Sequence, residues 1–441
     1  MSSLTPDSLQ ELLKLIPKSV VDLDPAALLR ASRDYYWMSP ILKRKLADRP
    51  PAEILAKPES EDHLQTILKW AYRNNIPVTP RGKGTGNYGQ AVPIDGGLVL
   101  DLTNLNAIRS IEENWITAQA GCNFRQLERA ASETNQELQL VPSTTGSTLA
   151  GFLSGGNGGA GSVTYGMIWN GFVDTLKIYP CTQDSEPFLV QGKDCNPYLH
   201  AYGTTGIIAE AKVRLRPRRD WTAFFFSFSP DQIEAVAAAS QEIVHLPIPP
   251  RLNSFDLPDI VDYFGDDERM PKGRISLRSM VASSMASRIQ EIVHKHGGTF
   301  EAEDPTALEY LHTHSFNHPT LRIKQKRADL CHLQIKGAGI IKNLPQIIAL
   351  LPEASCHFDS RKEAGNADSY GGILLSRYES EELLLRAISE IRSMGLQVIN
   401  VHNHQLGNGH PPSLELIQKT RSKTDPLHLL NDGRIPRSTD S

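Results

Sequence analysis

The apolar positions of this chain change period as it runs, and each change marks an element. Ile54-Leu55-Ala56 is a short apolar run, and Pro58-Glu-Ser-Glu-Asp after it has the polar composition of a helix start. Leu64, Ile67, Leu68 and Ala71 then recur at the spacing of one helix face, so strand, N-cap and helix are predicted in that order. Residues 76–80, 98–102 and 116–120 read as further strands and residues 124–134 as a second helix. Residues 174–180 and 207–215 alternate as strands, and a basic cluster around Pro217 closes the unit. Beyond Asp220 the pattern predicts a strand at 223–228, helices at 232–244 and 280–296, and strands near Ala328 and Ile373. A last helix at 381–394 precedes an apolar run at 396–401 and a tail. The order implies an α+β protein whose second half carries helices on one face of a mainly antiparallel sheet.

Two glycine-rich segments interrupt this pattern. One is Arg81-Gly-Lys-Gly-Thr-Gly-Asn-Tyr-Gly89; the other runs from Pro142 to Gly159 as PSTTGSTLAGFLSGGNGG. Glycine lets backbone N–H groups converge without side-chain interference, so the two read as halves of one anion cradle, with a diphosphate as the natural ligand. Gly84 to Gly89 also matches the G-x-G-x-x-G fingerprint of dinucleotide-binding Rossmann domains. That fingerprint needs a helix leaving the loop, and Pro93, Gly96 and Gly97 leave no room for one before the strand at 98–102, so a Rossmann domain is rejected.

Composition narrows the partners. The chain has 441 residues, enough for two or three domains with a sizeable core, and its net charge of −4 gives no electrostatic case for nucleic acid. Five cysteines, scattered and without C-x-x-C spacing, indicate neither a disulfide framework nor a cysteine metal site and suit a reducing compartment. No leader pattern or membrane-length apolar run is seen, so a cytoplasmic protein is expected, with peripheral membrane association left open.

Three ordered segments resemble one family, the flavoprotein oxidoreductases with a vanillyl-alcohol-oxidase or p-cresol-methylhydroxylase (PCMH) type FAD domain. They are the PESED-helix-IPVTPRGKGTG stretch from Pro58 to Gly86, TLAGFLSGGNGG from Thr148 to Gly159, and GTTGIIAEAKVRLRP from Gly203 to Pro217; the ending Lys423 to Arg434 is a fourth echo. The resemblance implies an N-terminal arm at 1–45, an FAD-binding domain of two α+β subdomains at 46–219, a substrate domain at 220–395, and a segment at 396–441 returning to the flavin. It further implies that Arg81, Gly82, Lys83, Gly84, Thr85, Gly86, Asn87, Gly89 and Gln90 wrap the FAD diphosphate. Lys83 departs from the family's usual small residue, so it either pairs with a phosphate oxygen or points to solvent. Pro142, Gly146, Ser147, Thr148 and Gly151 would line the isoalloxazine and ribityl side. Gly156, Asn157, Gly158 and Gly161 would return towards the diphosphate, and Gly206, Ile207 and Ile208 would pack near the adenine. Covalent members carry a histidine in the first loop or a cysteine before the proline of the second; Thr85 and Val141 stand at those places, which implies dissociable FAD.

The resemblance implies oxidation of a small alcohol, first among them a 2-hydroxyacid such as glycolate or lactate, with electrons passing to oxygen, a quinone or a protein acceptor. Histidine suits the proton step. His402 and His404, two apart in the tail, would share one strand face and are the first candidates, beside the reading that they are ordinary polar residues at a sheet end. The hydroxyacid branch uses H-x-G-D-G-N-x-H and G-E-H-G motifs for zinc. Neither is present, so no metal is expected, although His402, His404 and His410 remain a conceivable ligand set. Arg322, in the basic run after His312-Thr-His-Ser-Phe-Asn-His318, is the candidate for gripping a substrate carboxylate; a solvated basic face is the alternative. The arm's Tyr35-Tyr-Trp-Met is expected to pack on the FAD domain, with docking to a membrane or an acceptor as the alternative. The rival functional reading is an auxiliary flavin-binding subunit of a glycolate-oxidase-like complex, without its own catalytic site. A ligand-binding protein that kept the fold and lost the cofactor is a second rival.

Overall fold

A computed structural model describes residues 4–363, 366–407, 409 and 411–436. The arm folds as α1 (Pro6–Leu15), β1 (Val21–Asp22), α2 (Pro25–Ala31) and α3 (Pro40–Leu46). Each helix begins on a side-chain N-cap, Thr5, Asp24 or Ser39, with proline in the first turn, where its missing N–H costs nothing. Met38, Ile41, Leu42 and Leu46 are buried, whereas Tyr35 and Trp37 stay more than a third exposed.

The first sheet joins β1 to β2 (Ile54–Ala56), β3 (Val78–Arg81) and β4 (Leu98–Asp101) in the order β1-β2-β4-β3, with β2 and β3 parallel to β4. Between β2 and β3 runs α4 (Glu61–Arg73), which buries Leu64, Ile67, Leu68, Trp70 and Ala71, the face that the spacing predicts. The chain from 82 to 97 contains no helix, in agreement with the rejection of a Rossmann loop.

The second sheet is antiparallel. Its strands are β5 (Ile108–Glu112), β6 (Trp115–Gln119), β7 (Gln136–Leu138), β8 (Val173–Tyr179), β9 (Phe188–Gln191) and β10 (Ile207–Pro217), in the order β5-β6-β10-β8-β9 with β7 on the far end of β10. The helices α5 (Phe124–Ser132), α6 (Leu149–Gly155) and α7 (Ser162–Tyr165) belong to this unit. The glycine composition of 142–159 hides α6, whose start is fixed by Thr148 Oγ1 accepting from the Gly151 N–H at 3.3 Å. One core spans both sheets, from Leu12 to Leu215, with the tail's Leu429 and Leu430 added.

A third sheet takes up the second half. It comprises β11 (Trp221–Phe228), β12 (Leu252–Asp256), β13 (Ile275–Ala282), β14 (Thr299–Asp304), β15 (Leu330–Lys336), β16 (Ser355–Glu363), β17 (Asn366–Arg377) and β18 (Gln397–Ile399). The order is β14-β11-β13-β12-β16-β17-β15-β18 and every pairing is antiparallel. The α+β fold is thus as the pattern predicts. Helices α8 (Ile233–Val244), α9 (Pro258–Phe264), α10 (Ala286–Lys295), α11 (Leu308–His312), α12 (His318–Lys324), α13 (Ile340–Ala349) and α14 (Glu381–Ser393) connect the strands. Of these, α8, α10, α13 and α14 share one core with Phe255, Leu277, Phe358 and Leu374, so they cover one face of the sheet.

Two expectations are corrected. Residues 280–296 are not one helix: β13 continues to Ala282, because all eight of its residues are buried between β11 and β12, and pairing on both sides overrides local propensity. The strand of the tail ends at Ile399, where the Asn400 side chain accepts from the His402 N–H at 3.0 Å and turns the chain. His402 and His404 therefore lie in a turn and do not share a strand face. The last helix, α15 (Leu414–Thr424), leads into an ending folded back on the first sheet. Among the described residues no helix is long and apolar enough to cross a membrane, and the five cysteines are buried and unpaired.

Candidate functional site

The two glycine segments meet. A Cβ added at Gly82 would fall on Thr148 Oγ1, so the start of the first loop lies directly on the cap of α6, and only glycine leaves room for that approach. Their meeting forms one wall of a cavity of about 380 Å³, a size in the usual range of small-molecule sites. On this wall stand Arg81, Gly82, Lys83, Gly84, Thr85, Gly86, Asn87 and Gln90 from the first segment. Pro142, Ser147, Thr148 and Gly151, then Gly156, Asn157 and Gly158, come from the second, with Gly206, Ile207 and Ile208 at the start of β10. Gly89, Gly146 and Gly161 are not among the lining residues. Gly89 faces Leu46 and His404, and Gly161 sits tight against the Gln139 carbonyl, so these two serve packing.

The first loop is held from below. Tyr35 N–H donates to the Gly86 carbonyl at 2.8 Å, and Arg81 turns back to the Gly82, Ala31 and Arg33 carbonyls. Beneath the loop Asp34 accepts from the Tyr36 and Ala91 N–H groups; burial nevertheless pushes its carboxyl up to about 6. The tail closes the loop's other side. Asn431 Nδ2 donates to the Gln90 carbonyl at 2.9 Å and to the Tyr202 carbonyl at 2.7 Å, its N–H bonds the Val78 carbonyl, and the buried Arg434 reaches the Val92 carbonyl.

The opposite wall belongs to the second half: Phe316, Asn317, His318 and Leu321 from the turn before α12 and from α12 itself, Gln334 of β15, Arg361 of β16 and Ile373 of β17. Phe316 stands at φ +53°, a conformation that costs a bulky residue, and it is held there because its N–H donates to both oxygens of the buried Asp359, at 3.2 and 3.1 Å. That strained turn sends the next two side chains towards the cavity. Asn317 Oδ1 is buried there without a hydrogen-bond partner, and His318 Nδ1 lies 3.0 Å from Ser143 Oγ of the second glycine segment. Burial, seconded by Arg322, lowers His318 to about 4, so its imidazole is neutral at physiological pH.

The three residues expected to be catalytic stand elsewhere. His402 is buried with Nδ1 at 2.7 Å from Ser39 Oγ and its ring near that of His332, away from the cavity. His404 packs over Gly89 on the far side of the loop. Arg322 donates through Nε and Nη2 to the Thr313 carbonyl and hydroxyl, both at 2.8 Å, and holds the turn before α12. His410 lies outside the described residues, and among those described no group of three or more His, Cys, Asp or Glu could hold a metal ion.

Sequence reasoning missed Arg361 and the buried cluster behind it. On β16, Cys356 and Phe358 face the helices, while His357, Asp359 and Arg361 share the other face; Asp256 of β12 and Arg278 of β13 join them. Asp256 pairs with Arg278 and with His357 Nδ1 at 2.8 Å. His357 Nε2 is 3.1 Å from Asp359, and Asp359 is 3.8 Å from Arg361. Burial disfavours the imidazolium of His357, but Asp359 and Asp256 more than offset it and hold the ring at about 9. Both carboxylates are held below the usual carboxylate range: burial opposes ionisation, and the cations overcome it. The signal was present as the alternation C-H-F-D-S-R at residues 356–361, which reads as a strand with one apolar and one titratable face.

Residues 52–179 match the family model of the FAD binding domain. The chain is 29% identical over 186 residues to D-lactate dehydrogenase of Archaeoglobus fulgidus, covering 40% of this chain and 41% of that protein. It is 27% identical over 222 residues to glycolate oxidase subunit GlcD of Bacillus subtilis, covering 48% and 47%. It is 25% identical over 214 residues to mitochondrial D-2-hydroxyglutarate dehydrogenase of Rattus norvegicus, covering 46% and 38%. The matched region spans about half the length of these curated relatives, or less. Among solved structures, alkyldihydroxyacetonephosphate synthase superposes with a TM-score of 0.76 at 15% identity, over 97% of this chain and 86% of that one, a likeness of fold.

Proposed function

We propose, for a chain that carries an FAD-binding domain of the PCMH/VAO type, that it is an FAD-dependent oxidoreductase acting on a small alcohol, with a 2-hydroxyacid as the first substrate class to test. The observation that carries the reading is the cavity itself, one wall made of the two joined glycine segments and the other of a histidine, an arginine and an orphaned amide oxygen. Glycine surfaces and loop amides fit a flat, phosphate-bearing cofactor. Arg81 to Gln90, Pro142 to Gly158 and Gly206 to Ile208 are the segments that would hold FAD, without a covalent bond. When bound, FAD accepts a hydride from carbon. The chain's own residues would orient the alcohol against it, exclude water through Phe316, Leu321 and Ile373, and take the hydroxyl proton. Proton-accepting and cationic side chains on the second wall favour this reading over an auxiliary subunit without a catalytic site.

The test is the visible spectrum of protein purified with added FAD, followed by anaerobic mixing with glycolate, D-lactate, L-lactate and D-2-hydroxyglutarate. Bleaching by one of them supports the reading. A protein that binds no flavin at saturating FAD sinks it, and a bound flavin that no alcohol bleaches favours the auxiliary subunit. Denaturing precipitation should release all the flavin.

A further inference from the structure

The second wall of the cavity ends in a charge that no carboxylate among the described residues neutralises at close range. Arg361 is 5% exposed, its Nε is buried without a hydrogen-bond partner, and its nearest carboxylate, Asp359, is 3.8 Å away and already accepts from Ser254 Oγ at 2.8 Å and from the Phe316 N–H. Among the described residues the cluster it terminates contains two carboxylates, Asp256 and Asp359, and three cationic groups, Arg278, His357 and Arg361, which leaves one positive charge over. Buried charge without a counter-ion is costly, so such a site selects an anion. The guanidinium is also fixed. Phe316 stacks 5.4 Å from its Cζ, and a Cβ on Gly371 across the β16–β17 pair would fall on it, so the absence of a side chain at 371 makes the slot in which it lies.

Resting on the function proposed above, we infer that Arg361 is the carboxylate receptor of the substrate and that His318, on the same wall, is the acceptor of its hydroxyl proton, which makes the site one for a small 2-hydroxycarboxylate. A guanidinium presents paired N–H donors that match a carboxylate. With His318 Nδ1 placed on Ser143 Oγ, Nε2 is the nitrogen left for a ligand. In the step, the C–H bond breaks with its electron pair and hydrogen passing as hydride to oxidised FAD. The O–H bond breaks with its proton passing to His318 Nε2, and the electron pair left on oxygen forms the carbonyl of a 2-oxoacid. The neutral imidazole is in the accepting form at physiological pH.

Oxalate, a carboxylate that cannot be oxidised this way, is the probe. It should perturb the absorbance of the FAD-loaded wild type saturably. Arg361→Gln should weaken its affinity at least 100-fold with flavin content unchanged, and Arg361→Lys should fall between. His318→Gln should leave oxalate affinity within a few-fold of wild type, slow anaerobic flavin reduction by the active hydroxyacid at least 100-fold, and remove the acid limb of its pH profile. Calorimetric titration of oxalate into flavin-free protein gives the same comparison without the cofactor, so failure to bind FAD strikes the proposed function alone. Oxalate affinity unchanged in both Arg361 variants, with flavin still bound, overturns the carboxylate receptor. An unchanged acid limb in His318→Gln overturns the proton acceptor.

Discussion

At the scale of single residues, the cavity depends on side chains that are absent as much as on those present. Gly371 needs no special backbone angle; its role is the space it leaves for the Arg361 guanidinium. Gly371→Ala should therefore lift the guanidinium from its slot and raise KM for the hydroxyacid roughly as far as Arg361→Lys does, while the FAD-binding constant stays unchanged; steady-state kinetics beside a flavin titration would show it. Gly82→Ala should do the reverse, because its Cβ strikes Thr148 where the two glycine segments touch: FAD affinity falls by at least tenfold, read by fluorescence quenching. Asp256 tests the cluster behind the site. It neutralises Arg278, which is fully buried, so Asp256→Ala leaves a bare cation and should lower unfolding stability by about 3–5 kcal/mol, as measured in urea.

At the scale of elements, what was legible in the sequence was what local periodicity encodes. The face of α4, the helix α5 and the strands β6, β8 and β10 follow from spacing within single segments, and the two glycine segments announced themselves by composition. The second wall of the cavity was illegible for a physical reason. Arg361 draws its meaning from Asp359 on its own strand, from Phe316 forty-five positions earlier and from Gly371 across the hairpin, and only the register of the third sheet brings them together. The tail histidines looked like the better candidates because two residues apart implies a shared strand face, and an Asn400 turn removes that strand. Yet the tail matters as an element. Its Asn431 stitches the first glycine loop to the Tyr202 turn by two hydrogen bonds, each worth about 1 kcal/mol. Asn431→Ala should accordingly weaken FAD binding by roughly tenfold or more and raise proteolytic susceptibility in the 82–97 loop, with little effect on the unfolding of the third sheet.

At the scale of the whole molecule, the buried histidines set the pH range in which the fold holds. Burial, reinforced by a neighbouring arginine in four of the cases, keeps His200, His312, His318, His402 and His404 near 4 and His314 near 3, and holds His332 well below its ordinary value. Each binds its proton more readily in the unfolded chain, where histidine titrates near 6.5. The stability from keeping these rings neutral is complete above that value and is lost as pH falls towards 4. His357 acts in the opposite sense. Its folded value of about 9 lies above the unfolded one, so its contribution is complete below 6.5 and is lost as pH rises through 9. The two slopes meet between them, which places maximum stability near pH 6.5. Seven rings on the acid side against one on the alkaline side make the acid slope the steeper. Tm should drop by at least roughly 5 °C from pH 6.5 to pH 5, at about 1 °C for each kcal/mol lost in a chain of this length, and fall more gently from pH 7 to pH 9. Differential scanning calorimetry across pH 5 to 9 checks both limbs. His357→Gln should lower Tm at every pH, since it strips a cation from between Asp256 and Asp359, and should flatten the alkaline limb while leaving the acid limb as steep as before. An alkaline limb that keeps its slope in that variant would mean that the cation in the cluster is not His357, and the positive charge left over at Arg361 would have to be recounted.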